Sequence, residues 1–167
     1  MKSPLLIALL LTAFSSAVGY SQASASATFS ASVTIVEPIG ITTASDLNFA
    51  RIESGSGGTV ILGPDDSRTA IGGVKLAEGE SGTAATFEVV GQEGFAFDVS
   101  LPEGAYVLSN GVDEIVIRDF KSDSKTNRSV TGGAQVVKVG ATMDVNPSQT
   151  PGRYTNQNGF TVTVNYN

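Results

Sequence analysis

The sequence has no cysteine, no histidine and no tryptophan, and only 7% of its residues are aromatic. Charged residues make up 16%, against about 25% in soluble globular proteins. Each shortage excludes something. Without His or Cys there is no Ser-His-Asp or Cys-His nucleophile pair, no zinc site of the usual ligands and no thiol redox centre. No disulfide can staple the fold. Ten Lys and Arg stand against sixteen Asp and Glu, a formal charge of −6. That balance argues against nucleic acid, whose affinity rests on Lys and Arg neutralising phosphates, and equally against docking on anionic lipid. No apolar run approaches the ~20 residues that span a bilayer, so no membrane insertion is expected. What remains is a chain of 167 residues with 41% hydrophobic content and 19 glycines, the size of one ordinary domain with a proper core.

Residues 1–19 read as a secretory signal peptide. Lys2 forms a short basic region, Leu5–Phe14 an apolar run broken only by Thr12, and Ala17-Val18-Gly19 a small-residue cleavage site. Ala23 and Ala25 offer alternative ends. The run is about half the length of a membrane span. Cleavage after Gly19 starts the mature chain at Tyr20 and removes only Lys2 among its charges, and the product is expected to be exported, passing through the periplasm to the cell surface or beyond.

After Gly19 no helical period is convincing. Short alternations recur between Gly, Pro, Asn, Asp and Ser clusters, the mark of strands and turns. The expected strands are Leu47–Ile52, Thr59–Leu62, Val74–Leu76, Thr83–Val90, Phe95–Leu101, Tyr106–Leu108, Glu114–Phe120, Gln135–Val145 and Gly159–Asn165. Turn signals include Gly55-Ser56-Gly57-Gly58, Gly63-Pro64-Asp65-Asp66, Asn110-Gly111 and Pro151-Gly152. Many short strands with short connections predict an all-β, immunoglobulin-like antiparallel β-sandwich.

The most informative stretch follows the leader. Ala23, Ala25, Ala27, Phe29, Ala31, Val33 and Ile35 occupy every second position, with Ser or Thr between them. At about 3.3 Å per residue, these thirteen residues reach roughly 43 Å when extended, whereas an ordinary strand has about 5–6 residues. The phase breaks at Val36, Pro38 removes a backbone donor, and Ile39 and Ile41 resume the alternation as the first strand of the domain. The chain therefore divides into the leader, an extension at 20–36 and a sandwich at 37–167. The extension is either an overlong first strand of a complete sandwich or a donor strand that completes a neighbour's sheet. At the other end Phe160, Val162, Val164 and Tyr166 alternate with Thr161, Thr163 and Asn165. A strand in that position allows a sandwich one strand short, whose open edge invites another chain.

Thr28–Ile35, then Pro38-Ile39-Gly40-Ile41 and Asp46-Leu47-Asn48-Phe49, resemble the opening of the bacterial family catalogued as domain of unknown function number 4402. Pro151-Gly152-Arg153-Tyr154 with Phe160–Tyr166 resembles its ending. Both ends also resemble spore coat protein U-type domains, the subunits of archaic chaperone–usher pili. That resemblance implies a donor strand presenting Phe29, Ala31, Val33 and Ile35, and an acceptor edge formed by Phe160, Val162, Val164 and Tyr166. It implies as partners other copies of the chain or related subunits, a periplasmic chaperone and an outer-membrane usher. The sequence departs from the pilins in lacking their early cysteine, and Ala50 follows Phe49 where Gly is usual.

Other constellations carry less. Asp65-Asp66, Asp113-Glu114 and Glu78 with Glu80 are carboxylate pairs, but all adjoin turns and nothing indicates the cleft a glycosidase needs. Asp119, Asp123 and Asn127 match no calcium loop and are interleaved with Arg118, Lys121, Lys125 and Arg128. Gly55–Gly58 lacks the Lys and helix of a phosphate loop. No catalytic residue, metal site or cofactor is expected. The sequence thus points to a non-enzymatic, pilus-like filament subunit assembling by donor-strand complementation. The alternative is a self-complete monomeric sandwich that binds a ligand as an adhesin would.

Overall fold

The computed structural model describes residues 23–123 and 128–167. The proposed leader lies outside the described residues, as does Asn127. Every element among the described residues is β: β1 (Gly40–Ser45), β2 (Ile52–Glu53), β3 (Gly58–Leu62), β4 (Arg68–Gly72), β5 (Lys75–Leu76), β6 (Ala85–Val90), β7 (Ala96–Ser100), β8 (Tyr106–Ser109), β9 (Glu114–Ser122), β10 (Arg128–Ser129), β11 (Ala134–Val145) and β12 (Thr163–Tyr166). All pairings are antiparallel, as the short connections predict. Residues 23–34 belong to a unit separate from Ile35–Asn167 and carry no strand.

The long strand β11 organises the larger sheet. Val137, Val139, Ala141, Met143 and Val145 alternate along it and are buried, because successive side chains of a strand point to opposite faces. One edge of β11 is shared: β6 pairs with residues 134–139 and β3 with 141–145. The opposite edge pairs with β9 over 139–144. The handover falls on Gly140, where a Cβ would stand 2.1 Å from the Leu62 carbonyl oxygen, so no larger residue fits without moving β3. Outside β6 lies β1, outside β3 lies β4, and outside β9 lies β8.

A second sheet, ordered β10-β7-β12, packs on one end of the first and completes a sandwich there. Phe97 of β7, Val164 of β12 and Val130 meet Val89, Val137 and Val139 in one core cluster. Fully burying each such side chain contributes about 1.5–3 kcal/mol. The other cluster contains Val60, Leu62, Ile115, Ile117, Met143 and Val145. The β10-β7-β12 sheet does not extend over it, and only the small β2–β5 pair lies there. Leu47, Ile52, Leu76, Tyr154 and Phe160 pack there instead, mostly from irregular stretches and two-residue strands.

Most expected strands are present; the short β10 is an addition, and three larger differences stand out. The segment 47–52 is not a strand but a bent run ending in β2, because Ala50 has a φ of 56°. The terminal strand begins at Thr163 rather than Gly159. Arg68–Gly72, outside the expected strands, forms the edge strand β4.

Polar groups fasten the outer face. Arg118 grips Asp144 in a bidentate pair, Nε–Oδ2 2.6 Å and Nη2–Oδ1 3.0 Å, and the Thr59 hydroxyl donates to the same carboxylate at 3.0 Å. Asp66 accepts from Lys138 Nζ at 2.6 Å and from the Ala84 N–H at 2.7 Å. The hydrogen bonds from Arg118 hold the Asp144 carboxyl below its ordinary range, and that from Lys138 does the same for Asp66. The unfolded chain then binds protons more readily than the folded one. This contribution is fully present above an unfolded Asp pKa of about 3.9 and is lost as pH falls through the lower folded values. With no His in the chain, no side chain of ordinary pKa titrates between about pH 5 and 8. The melting temperature should therefore be flat across that interval and fall below about pH 4. Asp144→Asn should lower it at neutral pH and shrink the acid loss. A melting temperature that rises on acidification would contradict the assignment.

Candidate functional site

Where the second sheet stops, a groove of about 1660 Å³ lies over the larger sheet. Its lining includes Phe87 of β6, Ile115 and Ile117 of β9, and Val139, Met143 and Val145 of β11, so its floor is apolar. Small-molecule sites usually measure about 300–1,000 Å³, and this one is larger. Two stretches, 46–54 with the two-residue β2 inside it and the irregular 149–156, border it, together with Phe160 and Val162.

Two sheet edges meet near one end of the groove. Among the described residues β1 pairs only with β6, and β12 only with β7. The two edge strands approach one another, and Ile39 and Ile41 share a core cluster with Val164 and Tyr166. The groove opens beyond that contact, its first lining residues being Thr43 on the β1 side and Val162 on the β12 side.

Local hydrogen bonds fix the path of the two borders. On the first, Asn48 and Thr83 exchange two backbone bonds of 2.8 Å. Arg68 Nη1 donates to the Phe49 carbonyl at 2.8 Å, and the Arg51 N–H donates to Glu80 Oε2 at 3.1 Å. Arg51 also ion-pairs with Glu80, and its side-chain hydrogen bond holds the Glu80 carboxyl below the ordinary range. Asn48 Oδ1 accepts from the Ala50 N–H at 2.9 Å, closing the turn that puts Ala50 in the left-handed region. On the second border, Ser109 and Thr155 exchange two backbone bonds of 3.0 Å. The Thr150 N–H donates to Asp113 Oδ2 at 2.9 Å and the Tyr154 hydroxyl to the Thr150 carbonyl at 2.6 Å. Phe160 packs on Tyr106 and Phe120 with ring centroids 5.4 and 5.0 Å away.

The predicted acceptor residues thus divide. Phe160 and Val162 line the groove, Val164 is buried in the core, and the Tyr166 ring lies edge-on to Phe95 at 5.7 Å. The predicted donor residues are all exposed, Phe29 at 94%, Val33 at 85% and Ile35 at 90%, with Ala31 likewise exposed. The carboxylate pairs do not converge on one site. Asp65 is bound by the Ser67 hydroxyl, Asp66 by Lys138, Asp113 by Thr150 and Glu80 by Arg51, while Glu78 and Glu114 are exposed. Asp119 pairs with Arg118, and Asp123 accepts from the Lys138 N–H at 2.9 Å. Sequence reasoning missed Asn48, Arg68 and Thr155 as border-setting residues. Only the side-chain chemistry of Asn48, which favours a local turn, offered a signal.

Two outcomes follow. Left-handed backbone costs a non-Gly residue about 1–2 kcal/mol, so Ala50→Gly should stabilise the domain, offset in part by the greater freedom of the unfolded Gly chain. Chemical denaturation measures this, and a loss of stability would contradict it. Val162→Glu, at the mouth of an open groove, should cost no more than about 0.5–1 kcal/mol because its carboxylate stays solvated. A cost of several kcal/mol would mean that this position is packed shut.

A family model, Domain of unknown function (DUF4402), matches residues 39–166, every strand from β1 to β12 and the whole lining of the groove. Thr28–Ile35 lies before the match. No curated protein and no solved structure matches the chain. With more than half of its length matched, the chain belongs to the DUF4402 family.

Proposed function

We propose that the protein is an exported, non-enzymatic subunit of a pilus-like surface filament, and that subunits join when the extension of one copy enters the groove of the next. The observation that carries this reading is a pairing of opposites within one chain. A groove with an apolar floor lies beside two strands that each lack a partner on one edge. The same chain carries thirteen residues of strict alternation whose large apolar side chains are exposed. The resemblance to spore coat protein U-type domains supports it further. An inserted strand can accept and donate main-chain bonds along an open edge while sending alternate side chains down to the floor.

Magnitudes show why both kinds of contact are needed. Burying Phe29, Val33 and Ile35 contributes about 1.5–3 kcal/mol each. Ordering an extended backbone costs about 1–2 kcal/mol per residue, so apolar burial alone does not offset ordering the whole segment. Net contributions of about 0.5–1.5 kcal/mol per main-chain hydrogen bond supply the remainder, and these require the edges of β1 and β12.

Phe29→Asp and Val33→Asp should abolish assembly, and each variant should melt no lower than a chain that lacks the extension, since each carboxylate is solvated on the free extension and desolvated in the groove. Filament yield and thermal melting measure the two effects. A variant that melts lower and still assembles would overturn the reading. A chain starting at Pro38 should be unstable or aggregated until Ala25–Val36 is joined after Asn167 through a flexible linker. If that truncated chain is already a stable monomer, the sandwich is self-complete and the ligand-binding alternative holds.

A further inference from the structure

The root of the extension is fastened. Tyr166 Oη accepts a hydrogen bond from the Gln92 N–H at 2.6 Å and donates one to the Glu37 carbonyl at 3.0 Å. The Glu37 N–H reaches Gln92 Oε1 at 3.4 Å. Both backbone groups of Glu37 are therefore engaged, and both bonds depend on the Tyr166–Gln92 pair. Pro38 follows, which restricts Glu37 to extended conformations. The clasp is built with little tolerance, since a Cβ on Gly91 would stand 2.3 Å from Tyr166 Oη. Before it, Ile35 is 90% exposed.

The position of this clasp matters. Tyr166 ends β12 and Glu37 precedes β1, the two edge strands that approach each other at one end of the groove. The groove begins farther along both, at Thr43 and Val162. To occupy its own groove, the extension would have to reverse direction at 35–38 and pass the Tyr166 side chain. Reversal at that point breaks the extended geometry of Glu37 and its hydrogen bonds. A strand from another molecule need not make this reversal.

We infer that Tyr166, with Gln92 and Pro38, is a positioning residue that denies the extension its own groove and so directs it to a second copy of the chain. The inference rests on the strand-exchange reading above. Its test uses the mature full-length chain and Tyr166→Phe, which keeps the ring on Phe95 and removes only the hydroxyl. Pro38→Gly, which loosens the root without touching Tyr166, is the second variant. Light scattering across a concentration series measures the polymer fraction, thermal melting checks the fold, and a labelled peptide of residues 25–36 reports free grooves. Losing hydrogen bonds of this kind changes an equilibrium about three- to tenfold. Each variant should melt within a few degrees of the parent, yield about three- to tenfold less polymer, and take up peptide correspondingly less well as its own extension competes. Unchanged polymer and peptide uptake in folded variants would overturn the clasp while leaving the groove intact. If even the parent neither polymerises nor binds the peptide, the groove reading fails and the inference fails with it.

Discussion

An unpaired strand edge beside an apolar floor is the constraint on which the rest of this structure turns. Backbone N–H and C=O groups need partners, and beside the groove β1 and β12 each leave one edge without a partner strand among the described residues. Those two edges approach each other at the Tyr166 end and separate toward the groove. The second sheet is too narrow to cover the first, so one part of the core is roofed by it and the other by the β2–β5 pair and bent chain. The groove follows from that mismatch, and no special binding residues are needed to make it.

The mismatch traces to β11. Because β6 and β3 take successive lengths of one of its edges, the larger sheet is longer than any other strand in the molecule can match. Gly140 permits the exchange of partners by letting the Leu62 carbonyl approach where a side chain would stand. β7 and β12 then cover residues around Val137 and Val139, and Met143 and Val145 are left to the bent stretches. Those stretches cannot lie down as strands. Ala50 turns the first through a left-handed conformation, and the Asp113–Thr150 and Tyr154–Thr150 bonds curl the second.

The strands of the larger sheet were legible because burial on one face writes a period of two into the sequence, as at Val137–Val145. β4 was not, since Ile71 lies exposed on an outer face and Arg68–Gly72 has no buried side to pattern it. The run 47–52 looked like a strand because Leu47, Phe49 and Ile52 are all apolar, yet they reach the core from a bent backbone. The terminal alternation was read correctly as apolar against polar, but only its second half pairs with β7. Phe160 instead joins an aromatic cluster with Tyr106 and Phe120. The groove itself was hidden, because it is defined by pairs distant in sequence, Asn48 with Thr83 and Ser109 with Thr155. Tyr166 was visible as one more alternating residue. Its hydroxyl's bond to Glu37, 129 residues away, has no local signature.

The composition of the extension fits the proposed exchange in a graded way. The bulky members Phe29, Val33 and Ile35 cluster toward the root, and Ala23, Ala25 and Ala27 occupy the far half. At about 0.8 kcal/mol per buried methylene-sized group, an Ala contributes little, so the far half would be held mainly by its backbone. The near half would set the register, because shifting a strand by one residue turns every apolar side chain to the wrong face. The Ser and Thr residues between them have a second effect. They keep the free segment's outer face hydrated, and a free strand that is apolar on both faces would pair with any open edge it met. In the proposed exchange, alternating hydroxyls would therefore restrict the extension to a partner that offers an apolar floor together with an open edge.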